Sequence, residues 1–161
     1  SNLVYKNNIT KIRKKNIYKI FNKKNKKKIL LLPTKKYPEK FAITKKLFHY
    51  IIQILLKTNH KIYFKDHPTH SSGLDFKKFS KVNKINIIKN TVLIENLKLR
   101  FDIVVGFGST GMLYYNEKAI SLVKFYGNSN YLDQKKYFDN NGGTLINYPK
   151  NYTEIKKLLK P

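Results

Sequence analysis

Short, unbroken apolar runs that alternate with stretches of helical spacing constrain this chain more than any other feature. The first run is Ile29-Leu30-Leu31-Leu32, stopped by Pro33, and the clearest is Ile103-Val104-Val105 behind Asp102. Runs this short and this apolar read as strands buried on both faces, the habit of parallel sheets. Between them, Glu39 to Lys57 places Leu47, Ile51 and Leu55 on one helical stripe and Phe48, Ile52 and Leu56 on another. Further strands are predicted at 61–64, 85–88, 120–125 and 144–146, and further helices at 91–99, 112–117, 131–138 and 152–160. The alternation predicts an α/β fold. It is a Rossmann-like parallel sheet of five to six strands, with right-handed crossovers and helices on both faces.

The 161 residues suffice for one domain with its own core, and 41% hydrophobic content argues against a disordered chain. No internal repeat is visible. Residues 1–28 are rich in Lys and Asn and read as a basic linker or a short helix; Ile17, Ile20 and Phe21 have helical spacing. Residues 29–161 then form the folded domain. With no cysteine, disulfides and Cys-ligated metal sites are excluded. The net charge of +25 raises nucleic acid or anionic lipid as a partner. Arg13 and Arg100 are the only arginines, however, and readers of phosphate and base edges favour the arginine fork. No nucleic-acid partner is expected. No apolar run approaches the ~20 residues of a membrane span, and no signal-like segment follows Ser1. The expected location is cytoplasmic, with peripheral contact at an anionic inner membrane face.

In open parallel sheets, ligands bind beyond the carboxyl ends of the strands. Two unusual segments fall there: Lys65-Asp66-His67-Pro68 after the second strand, and Gly106-Phe107-Gly108-Ser109-Thr110-Gly111 after the fourth. The glycines of the second let backbone approach a ligand, and the hydroxyls of Ser109 and Thr110 add donors, as a phosphate site needs. Ser109 reads equally as an ordinary helix N-cap. No Lys follows as in a Walker A loop, and the glycine spacing is not the dinucleotide fingerprint. His67, stiffened by Pro68, can donate a hydrogen bond or a proton to a leaving phosphate, or can be a loop histidine without a task. His70 lies three positions on, yet no third ligand stands near in sequence, so no metal site is expected.

Taken together, His67-Pro68 and Ser109-Thr110, 42 positions apart, carry a resemblance. The chain resembles bacterial CMP-sialic-acid-dependent sialyltransferases and polysialyltransferases of GT-B fold, which carry a His-Pro motif and a later Ser-Ser or Ser-Thr motif. Both motifs belong to the C-terminal, donor-binding domain. The resemblance implies that His67 contacts the CMP phosphate and assists its departure. Lys65, Pro68, Gly108, Ser109, Thr110 and Gly111 would line the donor site. Glu95 is a candidate for ribose or cytosine contact and otherwise a solvated helix carboxylate. Ser71 and Ser72 are candidates for the donor site or members of an ordinary loop. The implied reaction is inverting transfer of sialic acid from CMP-sialic acid to a glycan or glycolipid acceptor in lipooligosaccharide or capsule synthesis, with no cofactor.

The family's general base sits in an acidic-acidic-Gly motif of an N-terminal domain, and no such motif occurs in this sequence. The acceptor domain is therefore expected to be absent and this stretch to be inactive alone. Two rival readings are a CDP-glycerol glycerophosphotransferase, which shares a His-Pro and a serine pair, and a basic α/β module that binds nucleic acid. The Gly-Ser-Thr-Gly-Met context favours the sialyltransferase.

Overall fold

A computed structural model of the chain describes residues 26–78, 85–97 and 100–160. The basic segment 1–28 lies almost wholly outside the described residues, as do Lys98 and Leu99 of the helix expected at 91–99. Within them, β1 (Lys28–Leu31), β2 (Lys61–Lys65), β3 (Ile85–Ile88), β4 (Ile103–Gly106) and β5 (Ala119–Ser121) form one sheet. The order is β3-β2-β1-β4-β5 and every pairing is parallel. The helices are α1 (Phe41–Leu56), α2 (Asn128–Asn140) and α3 (Tyr152–Leu159). Rossmann-like α/β architecture is thus observed, with helices on both faces.

Alternation along each strand explains the two cores. Ile29 and Leu31 of β1, Ile62 and Phe64 of β2, and Ile103 and Val105 of β4 face one side. There they meet Leu47, Phe48, Ile51, Ile52 and Leu55 of α1 and Ile155 and Leu159 of α3. Leu30 and Val104 face the other side, against Leu97, Phe101, Met112, Tyr115 and Phe138. Each large side chain fully buried this way contributes roughly 1.5–3 kcal/mol relative to exposure. Leu56, expected on a buried stripe, is instead exposed. Helix α3 begins at Asn151, whose side chain accepts from the Glu154 N–H at 2.9 Å while the Glu154 carboxylate accepts from the Lys150 N–H at 2.8 Å.

Several expected elements are shorter or tighter. No sixth strand forms at 144–146; only Asn147 bridges to Ile120, with Gly142 and Gly143 before it and Pro149 just beyond. The strand expected at 120–125 ends at Ser121, and the chain turns through a 3-10 helix (Val123–Tyr126) that stacks Tyr126 on Phe107. The helix expected at 112–117 is two 3-10 turns, Thr110–Tyr114 and Asn116–Lys118, broken where Asn116 takes a positive φ of 40°. The expected helix at 91–99 is a 3-10 turn at Ile94–Leu97. Segments this short gain little from regular structure by themselves, so packing on the sheet decides their form.

Candidate active site

The strand order reverses direction beside β1, where one crossover leads to β2 and another to β4. In such a sheet the crevice at that switch point is the expected ligand site. A cleft of about 690 Å³ occupies it. Gly106 ends β4 there, and a Cβ at that position would stand 3.0 Å from the Leu32 carbonyl oxygen. Only glycine lets the two strand ends lie so close.

Both sequence-predicted segments reach this cleft. Lys65, Asp66, His67 and Pro68 line it, with Gly108, Ser109, Thr110 and Glu95. Ser71, Ser72 and Gly111 do not line it. Ser72 is buried, and its N–H and hydroxyl donate to the Asp66 carboxylate at 3.0–3.3 Å. The Ser71 carbonyl accepts from the Lys36 N–H, and its hydroxyl accepts from the Gly73 N–H. Gly111 is buried against Ile94.

The His67 loop is laced from within. Asp66 also accepts from the His67 N–H at 3.0 Å, so its carboxylate is committed to holding the loop. The Thr69 N–H donates to Nδ1 of His67 at 3.2 Å. An Nδ1 that accepts leaves Nε2 as the protonated nitrogen of the neutral ring. His67 is exposed and so presents a hydrogen-bond donor with a fixed tautomer. The Thr69 hydroxyl lies between the Nδ1 atoms of His67 and His70, and the two rings meet edge to face at 5.2 Å. Among the described residues no three His, Asp or Glu side chains cluster closely enough to hold a metal ion.

Ser109 precedes the 3-10 turn with an extended backbone (φ −63°, ψ 130°), and its side chain makes no cap hydrogen bond. Ser109 thus caps the turn through its backbone, its carbonyl accepting from the Met112 N–H, while its hydroxyl is not used for capping. Both Ser109 and Thr110 are exposed, with hydroxyls that can donate to an anion. A five-residue 3-10 turn has little dipole, so hydroxyls and backbone N–H groups, not a helix field, would hold charge here.

Lys65 is the one buried lysine among the described residues, and its Nζ donates to the carbonyls of Asp66 and Asn90, each at 3.3 Å. Burial lowers its pKa from the ordinary lysine value, against the opposing pull of the Asp66 and Glu95 carboxylates. Glu95 faces the same end of the cleft from the turn after β3.

The sequence reading missed the other wall. Tyr37 and Lys40 follow β1, and Tyr126, Asn130, Asp133 and Gln134 follow β5; all line the cleft. The Tyr126 ring stacks on Phe107 at 4.4 Å, and its hydroxyl lies 2.5 Å from that of Thr44. Burial pushes the Tyr126 phenol up to about 12. The switch-point rule would have pointed to the loop after β1, but nothing in the sequence marks Tyr126 or Asn130 as its neighbours.

Among the described residues no helix is long and apolar enough to cross a membrane. A family model described as alpha-2,8-polysialyltransferase matches residues 2–124, well over half of the chain. No curated protein matches it.

Proposed function

Given that the chain belongs to the alpha-2,8-polysialyltransferase family, we propose that residues 29–161 bind CMP-sialic acid as the donor half of an inverting, GT-B-type sialyltransferase. The observation that carries this reading is the shared cleft, lined by His67 and by the hydroxyl pair Ser109 and Thr110. Those donors suit one anionic group between them. In the proposed reaction the bond from the anomeric carbon to the phosphate oxygen breaks, and its electron pair leaves with CMP. An acceptor hydroxyl forms the new bond on the opposite face of the sugar. His67 Nε2–H and the two hydroxyls stabilise the phosphate as its charge grows, a step that needs no metal.

The acceptor hydroxyl must also lose a proton. Asp66 is committed to its own loop, and no acidic pair followed by glycine stands in the sequence. Glu95 and Asp133 also line the cleft, but on the family's motif pattern the base is assigned to a part of the enzyme outside residues 29–161, and these residues alone should transfer little. The acceptor is read as a glycan or glycolipid, and the lysine-rich surface suits anionic lipid at the inner membrane face rather than nucleic acid.

Calorimetric titration of the chain with CMP, CMP-sialic acid, CDP-glycerol and an oligonucleotide, at physiological salt, tests the assignment. CMP and CMP-sialic acid should bind saturably and CDP-glycerol about tenfold more weakly. Tight oligonucleotide binding with no response to any nucleotide would replace this reading with a nucleic-acid-binding module.

A further inference from the structure

Lys40 occupies an unfavourable place for helix stability. It is the N-cap of a 16-residue helix, makes no side-chain cap, and has no acidic residue in the first turn to offset its charge. Local rules broken without a local gain often mark a function.

The structure holds this ammonium in position without neutralising it. Its Nζ donates to Oδ1 of Asn130 at 2.9 Å and sits 5.0 Å from the Tyr126 ring centre and 5.4 Å from that of Tyr37. Aromatic faces attract a cation and hold its direction, but they leave its full charge in place. Among the described residues, ion pairs form only at Lys135–Asp139 and Lys150–Glu154, so no carboxylate pairs with Lys40. One of its three N–H donors is committed to Asn130, which leaves the others for a ligand in the cleft that Lys40 lines.

Strand order supplies the spacing. Glu95 follows β3, His67 follows β2, Ser109 follows β4, and Asn130 follows β5. Four strand intervals from β3 to β5 span about 19 Å, so an extended ligand can reach both ends of the cleft. The His67 and Ser109 donors lie in the middle, and Lys40 with Asn130 belongs to the β5 end. Tyr126 and Asn130 also lie past residue 124, beyond the stretch that the family model matches.

We propose that Lys40, seated by Asn130, Tyr126 and Tyr37, binds a second anionic group of the ligand: the carboxylate of the donor sugar. The assignment rests on the donor-site reading above and adds how that site tells a sialyl donor from the bare nucleotide.

The test compares CMP, CMP-sialic acid and the methyl ester of that sugar carboxylate on wild type, Lys40→Met and Lys40→Arg, by calorimetry. CMP and CMP-sialic acid carry similar total charge, so a general loss of positive potential would weaken both alike. Lys40→Met should weaken CMP-sialic acid about tenfold, the size of one charge-assisted hydrogen bond, and leave CMP within about twofold. The ester should bind wild type and Lys40→Met equally, and Lys40→Arg should recover part of the loss. Thermal melting confirms that the variants fold. Equal losses for both ligands, or no loss for either, would overturn the role of Lys40 while leaving the donor site intact. A wild-type chain that binds CMP-sialic acid no better than an unrelated nucleotide would overturn the donor-site reading itself, and this assignment with it.

Discussion

In the loop that carries His67, the side-chain hydrogen bonds of Asp66 and His67 join residues one to six positions apart, to His67, Ser72 and Thr69, with one backbone bond from Lys36 to Ser71 reaching outside it. On the β5 side of the same cleft, the bonds that hold Lys40 and Tyr126 join residues 90 and 82 positions apart. The first wall is a mainly local object. Its shape follows from a short stretch of chain with a proline and an acidic residue that ties its own turn. The second wall exists only once α1 and the segment from β5 to α2 have docked, and α2 contributes a single buried residue, Phe138. The His67 end of the cleft is thus held mainly by a short stretch of chain, whereas the shape of the far end depends on long-range packing.

The comparison is tested most severely at its two anchors. His67→Ala should remove one hydrogen bond to a charged phosphate and weaken CMP by about 10- to 100-fold, with little change in melting temperature. An unaltered CMP affinity would break the assignment of the local wall as the phosphate site. Asp66→Ala should act one step back. It strands the His67 and Ser72 N–H groups, one of them on a buried residue, and should cost about 2 kcal/mol in stability by urea unfolding. CMP affinity should fall as the loop loosens. Ser72→Ala loses the hydroxyl's two 3.3 Å bonds, to Asp66 and from the Leu74 N–H, but keeps the Ser72 N–H on the Asp66 carboxylate and should cost less.

The same contrast explains what could be read from residues alone. β1, β2, β3 and β4 were legible because buried parallel strands need unbroken apolar runs, and α1 because its stripe must face the sheet. That His67 and Ser109 line one cleft was legible because both follow parallel strands at their carboxyl ends. The 3-10 turns and the three-residue β5 were not, since their stretches lack a run of alternation or helical spacing that would tell a strand from a tight turn. Ser121 ends its strand and Thr110–Tyr114 tightens because packing on the sheet decides them. Lys40, Tyr37, Tyr126 and Asn130 were invisible for a stronger reason: their proximity is a product of the whole fold. Ser71, Ser72 and Gly111 were near the right segments, but their side chains or lack of one serve the loop and its packing, not the cleft lining.

Glycines extend the comparison to the end of the cleft that holds Glu95. A Cβ on Gly111 would stand 2.4 Å from Cδ1 and 2.7 Å from Cγ2 of Ile94, the residue before Glu95. Both branches of this stiff β-branched side chain are met, so Gly111→Ala should displace Ile94 and its turn and cost about 1–3 kcal/mol. A Cβ on Gly108 meets mainly Oε1 of Gln134, at 2.4 Å, the tip of a flexible side chain that can swing away. Gly108→Ala should be the milder change in melting temperature. The reverse order would show that the Gly108 backbone, rather than the Ile94 contact, sets the tolerance of this loop.

Tyr126 gives the smallest effect and the one with a pH signature. Tyr126→Phe keeps the ring on Phe107 and under Lys40 but loses the bond to the Thr44 hydroxyl, worth about 1 kcal/mol at pH 8. In the folded chain the phenol is pushed up to about 12 from 10.0, chiefly by burial. A pKa raised on folding means that the folded state favours the protonated phenol. That stability is complete below pH 10 and is lost as pH climbs toward 12. The advantage of wild type over Tyr126→Phe in urea midpoint should therefore shrink between pH 10 and pH 12. Using the difference between the two proteins cancels the general effect of titrating lysines in the same range. A gap that stayed constant with pH would place the Tyr126 hydroxyl in water rather than between the docked elements, and the long-range wall would lose one of its two ties.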